Sequence, residues 1–116
     1  ISPSGFAMRV DGTIGGRALT EVSATNPALS SGESGKVVFM TNGGAIACTL
    51  PNLDLEIGIQ FVIVQKGAGA VTITAGTNST TGTAQTINGA ATKATTALDD
   101  AITVIYAAVK TWYAIG

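Results

Sequence analysis

Two close pairs of carboxylates stand out in this chain: Asp99 beside Asp100, and Asp54 with Glu56 across Leu55. Paired carboxylates can act as acid and base in glycoside hydrolysis, or bind calcium at a loop. Consecutive strand residues face opposite ways, so Asp99 and Asp100 converge only if their segment is a turn. Both pairs lie in turn-like stretches, where Asp accepts hydrogen bonds from backbone N–H groups and marks strand ends. That capping role is the one expected here. Calcium usually takes six or more oxygens, and no Asp-rich loop supplies them. The chain has no histidine, which removes the commonest general base, the commonest metal ligand and any His-based triad. A structural zinc wants several Cys or His, and there is one Cys. No catalytic residue, metal or cofactor is expected.

The remaining reactive groups are weaker still. Cys48 has no second cysteine to pair with and sits in the apolar run Ala45–Leu50, where it reads as a small buried hydrophobe. Ser34-Gly35-Lys36 has the look of a phosphate loop, but that motif needs Gly at position 30 and Ser or Thr at 37, which are Ser30 and Val37. Asn78-Ser79-Thr80 is a formal glycosylation sequon and reads as a polar loop tip. Trp112 with Tyr113 is the one candidate for stacking a sugar. Neighbours on a strand cannot share a platform, so Trp112 is expected in the core and Tyr113 at an edge or subunit contact.

Composition narrows the partners. Of 116 residues only 11% are charged, 46% are hydrophobic, and the formal net charge is -1. The six basic residues are scattered, without the cluster that phosphate binding requires, so nucleic acid is not expected. No apolar run approaches the ~20 residues of a membrane-spanning helix. The start, Ile1-Ser2-Pro3, has neither an initiator Met nor a signal-peptide core, so the chain is read as processed, trimmed or internal. A surface this poor in charge protects weakly against association.

The elements follow from spacing. Residues 1–35 are rich in Gly and Ser, with sparse apolar positions Phe6, Met8, Val10, Ile14, Leu19, Val22 and Leu29. They are expected to form an extended N-terminal arm lying on its own domain or on a neighbouring subunit. A domain over 36–116 follows. Val37–Met40 and Ala45–Leu50 flank Asn42-Gly43, a hairpin signal of type I′. Residues 59–66 are apolar on both faces, including Val62 and Val64, which suits a central strand buried on both sides or one whose second face meets another subunit. Val71–Thr74 alternates cleanly, Thr86-Ile87 is a short strand ended by Asn88-Gly89, and residues 90–100 are ambiguous between a helical turn and an extended segment. Ala101–Tyr106 and Thr111–Ile115 form a closing hairpin. The fold class is all-β, a β-sandwich, jelly-roll or small barrel of about seven or eight short strands.

The order of these motifs resembles the small β-domains of head-decoration (cement), head-fibre and tail-fibre proteins of tailed bacteriophages. The likeness rests on Gly35-Lys36-Val37, Thr49-Leu50-Pro51, Glu56–Ile63 with Gly58 and Phe61, Gly69–Thr74, and the terminal Thr111-Trp112-Tyr113. It covers about residues 35–116. It implies a structural virion protein that binds the outer capsid surface, with the major capsid protein as partner and a homotrimer as its working form. No catalytic residues come with it. A receptor- or glycan-binding module of a tail fibre or adhesin, at an extracellular fibre, is the alternative. Candidate contact residues for the oligomer or capsid are Phe6, Met8, Val10, Ile14, Leu19, Val62, Val64 and Tyr113.

Overall fold

The computed structural model describes residues 19–116. Among the described residues nine short strands make two facing sheets: β1 (Leu19–Val22), β2 (Val37–Met40), β3 (Ile46–Thr49), β4 (Gln60–Gln65), β5 (Val71–Thr74), β6 (Thr86–Ile87), β7 (Thr92–Ala94), β8 (Ala101–Ala108) and β9 (Thr111–Ile115). The larger sheet runs β1-β2-β4-β8-β9-β6 and the smaller β3-β5-β7. The all-β class holds, but the architecture is neither sandwich, jelly roll nor barrel. It is a β-solenoid of stacked coils, shown by its parallel pairing. Val37 pairs with Val62 and Ile46 with Val71, each 25 residues further along. One coil carries β2 and β3, the next β4 and β5, and each strand lies on its counterpart. β1 stacks on β2 in the same sense, and Ala28 pairs with Thr49. The chain then returns: β7 and β8 run antiparallel to β5 and β4.

The expected Asn42-Gly43 hairpin is therefore absent, for a local reason. A type I′ turn needs positive φ at both central residues, and among the described residues the non-glycine positions with positive φ are Asn88, Asp99 and Lys110. Asn42 instead accepts a hydrogen bond from the Gly44 N–H (2.7 Å) and donates one to the Ser23 carbonyl (2.8 Å). Those bonds turn the corner of a coil and tie it to the coil before. The type I′ geometry appears at Asn88-Gly89 (φ 51° and 84°), where Ile87 and Ala90 exchange both backbone hydrogen bonds. Of the expected arm, residues 1–18 lie outside the described residues. Residues 19–35 supply β1, a 3-10 turn (Ser31–Glu33) and the buried Leu29 of the common core. The ambiguous 90–100 segment forms β7 and a turn, with no helix.

Corner glycines let the coils approach. Gly67 and Gly69 stack over Thr41, Asn42 and Gly44; a Cβ on Gly67 would lie 2.5 Å from two carbonyl oxygens, and one on Gly69 would overlap the Gly44 carbonyl outright. Between the sheets lie Val38, Met40, Phe61, Ile63, Ile102 and Val104 from one side, and Ile46, Cys48, Val71 and Ile73 from the other. Trp112 fills one end, its ring 6.2 Å from Phe61 and 5.2 Å from Tyr106. Its Nε1 donates to Gln85 Oε1 (3.0 Å), and Gln85 Nε2 donates to the Leu53 carbonyl (2.8 Å). Gln65 accepts from Thr95 Oγ1 (2.6 Å), which itself accepts from the Val71 N–H. Buried polar groups of this kind must find partners, and these hold the core in one arrangement.

Candidate interaction surface

The carboxylates singled out by sequence are all engaged in turns. Asp100 accepts hydrogen bonds from the Thr96 N–H and hydroxyl and from the Ala97 N–H. Those bonds, the Thr96 hydroxyl first, hold its carboxyl below the ordinary range. Asp99 pairs with Lys66 at 2.8 Å. Asp54 accepts from the Thr80 hydroxyl and from Asn78 Nδ2, which lower its carboxyl likewise, and Glu56 accepts from the Asp54 N–H. Among the described residues no group of three or more His, Cys, Asp and Glu could hold a metal ion. Asn78 of the sequon is buried and its amide is bonded to Asp54. Cys48 is buried, and desolvation, with a smaller contribution from Glu33, pushes its thiol up to about 12, leaving it unreactive. Trp112 is 0% exposed, so no sugar reaches it.

A different surface emerges from the larger sheet. Alternation sends one set of each strand's side chains to the core and the other outward. The outward set is mostly apolar across five strands, with Glu21, Gln60 and Thr103 the polar exceptions. Register lines up Leu19, Val37, Val62, Thr103 and Ile115 in one row. A second row reads Glu21, Phe39, Val64 and Ala101, and a third Gln60, Ile105 and Tyr113. Leu19, Tyr113 and Ile115 are exposed at 62%, 49% and 67%, whereas Val37, Phe39, Val62, Val64 and Ile105 are half-buried by their neighbours. Glu21 is the one charged residue in these rows. At the rim Lys66 sits 5.9 Å from the Phe39 ring centroid while pairing with Asp99.

Four of the residues picked out by sequence, Leu19, Val62, Val64 and Tyr113, thus fall on this one face, on three different strands. Phe6, Met8, Val10 and Ile14 lie outside the described residues. Val37, Phe39, Ile105 and Ile115 complete the face and were not singled out. The signal that finds two of them is a gapless internal repeat: Val37–Pro51 aligns with Val62–Gly76, matching Val37 with Val62, Gly44 with Gly69, Ala45 with Ala70 and Thr49 with Thr74. Phe39 then falls on Val64. A separate apolar tip lies where loop 53–58 meets the β8–β9 turn. Tyr106 Oη donates to the Asp54 carbonyl and accepts from the Lys110 N–H, both at 2.8 Å, beside the exposed Leu55, Ile57 and Val109.

No protein-family description matches the chain, and no curated protein matches it. The functional reading therefore rests on surface chemistry and on motif order.

Proposed function

We propose that this protein is a non-catalytic structural module, a capsid decoration protein of a tailed bacteriophage that works as a symmetric oligomer on the outer capsid surface. The observation that carries the reading is the apolar outer face of the larger sheet. A sheet with one solvated face normally alternates apolar and polar residues, whereas two apolar faces belong to sheets covered on both sides. Contiguous apolar area of this kind marks a protein contact. The motif order described above supplies the virion context, with the major capsid protein as partner. The tip of Leu55, Ile57 and Val109 is available to grip that partner, and several such contacts made together by one oligomer give firm attachment.

The test is attachment to capsids of the phage whose genome encodes the chain. Purified protein should cosediment with those capsids at a saturating stoichiometry and raise the temperature at which they release DNA. Absence of cosedimentation would refute the decoration role. Glycan binding is the weaker reading, because burial of Trp112 leaves Tyr113 without an aromatic partner for a sugar.

A further inference from the structure

We infer that the outer face of the larger sheet is closed by the same face of a second copy, sheet packed on sheet, so that the unit of assembly is a two-fold dimer. The inference rests on reading that face as a contact surface, and it names the occupant. Complementarity selects the occupant. An apolar sheet face is well covered by another apolar sheet face about 10 Å away, side chains interleaved. The other sheet of this molecule cannot serve, because its outward rows are Ala47, Thr72 and Ala94, and Thr49, Thr74 and Thr92. Short, hydroxyl-bearing side chains offer little apolar area. Within a pair of copies the complement of the apolar face is that face itself, which makes the contact isologous and two-fold.

Charge agrees with this choice, and size sets how much the rim must add. Only Glu21 among the twelve outward positions is charged, so the face has nothing to attract a strongly charged partner and little to repel its own copy. Five strands at about 4.8 Å spacing and up to six residues at about 3.3 Å rise span roughly 400 Å². That is within the range of the largest patches on single chains, and about half of the ~800 Å² per partner in a stable interface. The patch would be the dry centre, with Lys66, Asp99 and Glu21 at a polar rim.

The departure from the ring of three implied by motif order is testable with the full chain alone. Sedimentation and native mass spectrometry from about 1 to 200 µM should show a dimer. Val62→Lys, in the middle strand of the face, should weaken the dimer at least a hundredfold. Tyr113→Lys, at a more exposed position, should weaken it while leaving far-ultraviolet circular dichroism and Trp112 fluorescence unchanged, which separates lost contact from lost fold. Thr72→Lys on the opposite sheet should leave the dimer intact. A monomer throughout this range, a trimer, or a dimer broken by Thr72→Lys but not by the other two would overturn the inference. A dimer that does not attach to capsids would leave it standing and remove the decoration role; a monomer or trimer that does attach would do the reverse.

Discussion

Replacing Gly69 by alanine probes the stacked-coil architecture at its tightest point. The added Cβ would overlap the Gly44 carbonyl and come within 2.9 Å of the Asn42 carbonyl, where real Cβ atoms keep at least 3.0 Å. Both obstacles are backbone, so no side chain can swing aside and the two corners must part. Three hydrogen bonds join the coils there: Lys66 N–H to Met40 O (2.8 Å), Gly69 N–H to Asn42 O (3.2 Å) and Ile46 N–H to Ala70 O (2.9 Å). At about 1 kcal/mol each their loss amounts to about 3 kcal/mol, which lowers the melting temperature of a domain this size by about 10–20 °C. Gly43→Ala is the control. Gly43 lies one residue from the same corner, has no atom within 4 Å of its Cβ position and does not have positive φ, so its effect should stay within about 0.5 kcal/mol. Chemical denaturation followed by circular dichroism reads both. A Gly69→Ala protein within about 1 kcal/mol of the parent would mean that the corners are not stacked as described.

Three further outcomes are expected. Tyr106→Phe removes the hydroxyl that joins loop 53–58 to the β8–β9 turn, leaving the Asp54 carbonyl and the Lys110 N–H without it; it should cost about 2 kcal/mol and speed amide exchange in both segments, and unchanged exchange would show the hydroxyl to be dispensable. Cys48, with its thiol at about 12, should resist a disulfide reagent at pH 8 in the native protein and react fully in denaturant; rapid native labelling would contradict its burial. Asp54 and Asp100 have folded carboxyls below their unfolded value, so their contribution is present above the ordinary carboxylate range and lost as pH falls through the lowered folded values. NMR titration should find both protonating below the ordinary carboxylate range as acid is added, and Asp100→Ala should flatten the fall in stability below about pH 4.

Strand positions were readable because alternation needs only local information. Val71-Thr72-Ile73-Thr74 reads as a strand with one buried face, and β5 buries Val71 and Ile73. Partner choice is a different matter. Asn42-Gly43 and Asn88-Gly89 are the same dipeptide, yet one turns a coil corner and the other a tight reversal. The difference lies in what surrounds them: Ser23 reaches Asn42 from the preceding coil, while Asn88 exchanges two hydrogen bonds with the backbone of Ala114. Neither neighbour is close in sequence. The coil period was present in the residues as the 25-residue match between Val37–Pro51 and Val62–Gly76. Hairpin spacing competes with that signal, since a short polar gap between two apolar runs suits either a reversal or a corner. The outer face was legible in part: Val62 and Val64 stand out because their strand is apolar on both sides, whereas Ile105 and Ile115 join them only through register across five strands.

The parallel stacking also sets the order in which the chain can fold. A hairpin forms from residues made seconds apart, but Leu19 finds its place only after Val37 exists, and Val62 gains its second neighbour only with Thr103. Pairings across such separations are slow, because loop entropy is lost before contacts compensate. The quickest piece to form is β8–β9, joined by a two-residue turn and placed after the other described strands in the chain. Without β8, β4 would keep a bare edge, because Gln60 to Val64 pair with Ile105 to Ala101. Removing that hairpin should leave no partial solenoid behind, and folding should begin from β8–β9 rather than from the stacked coils.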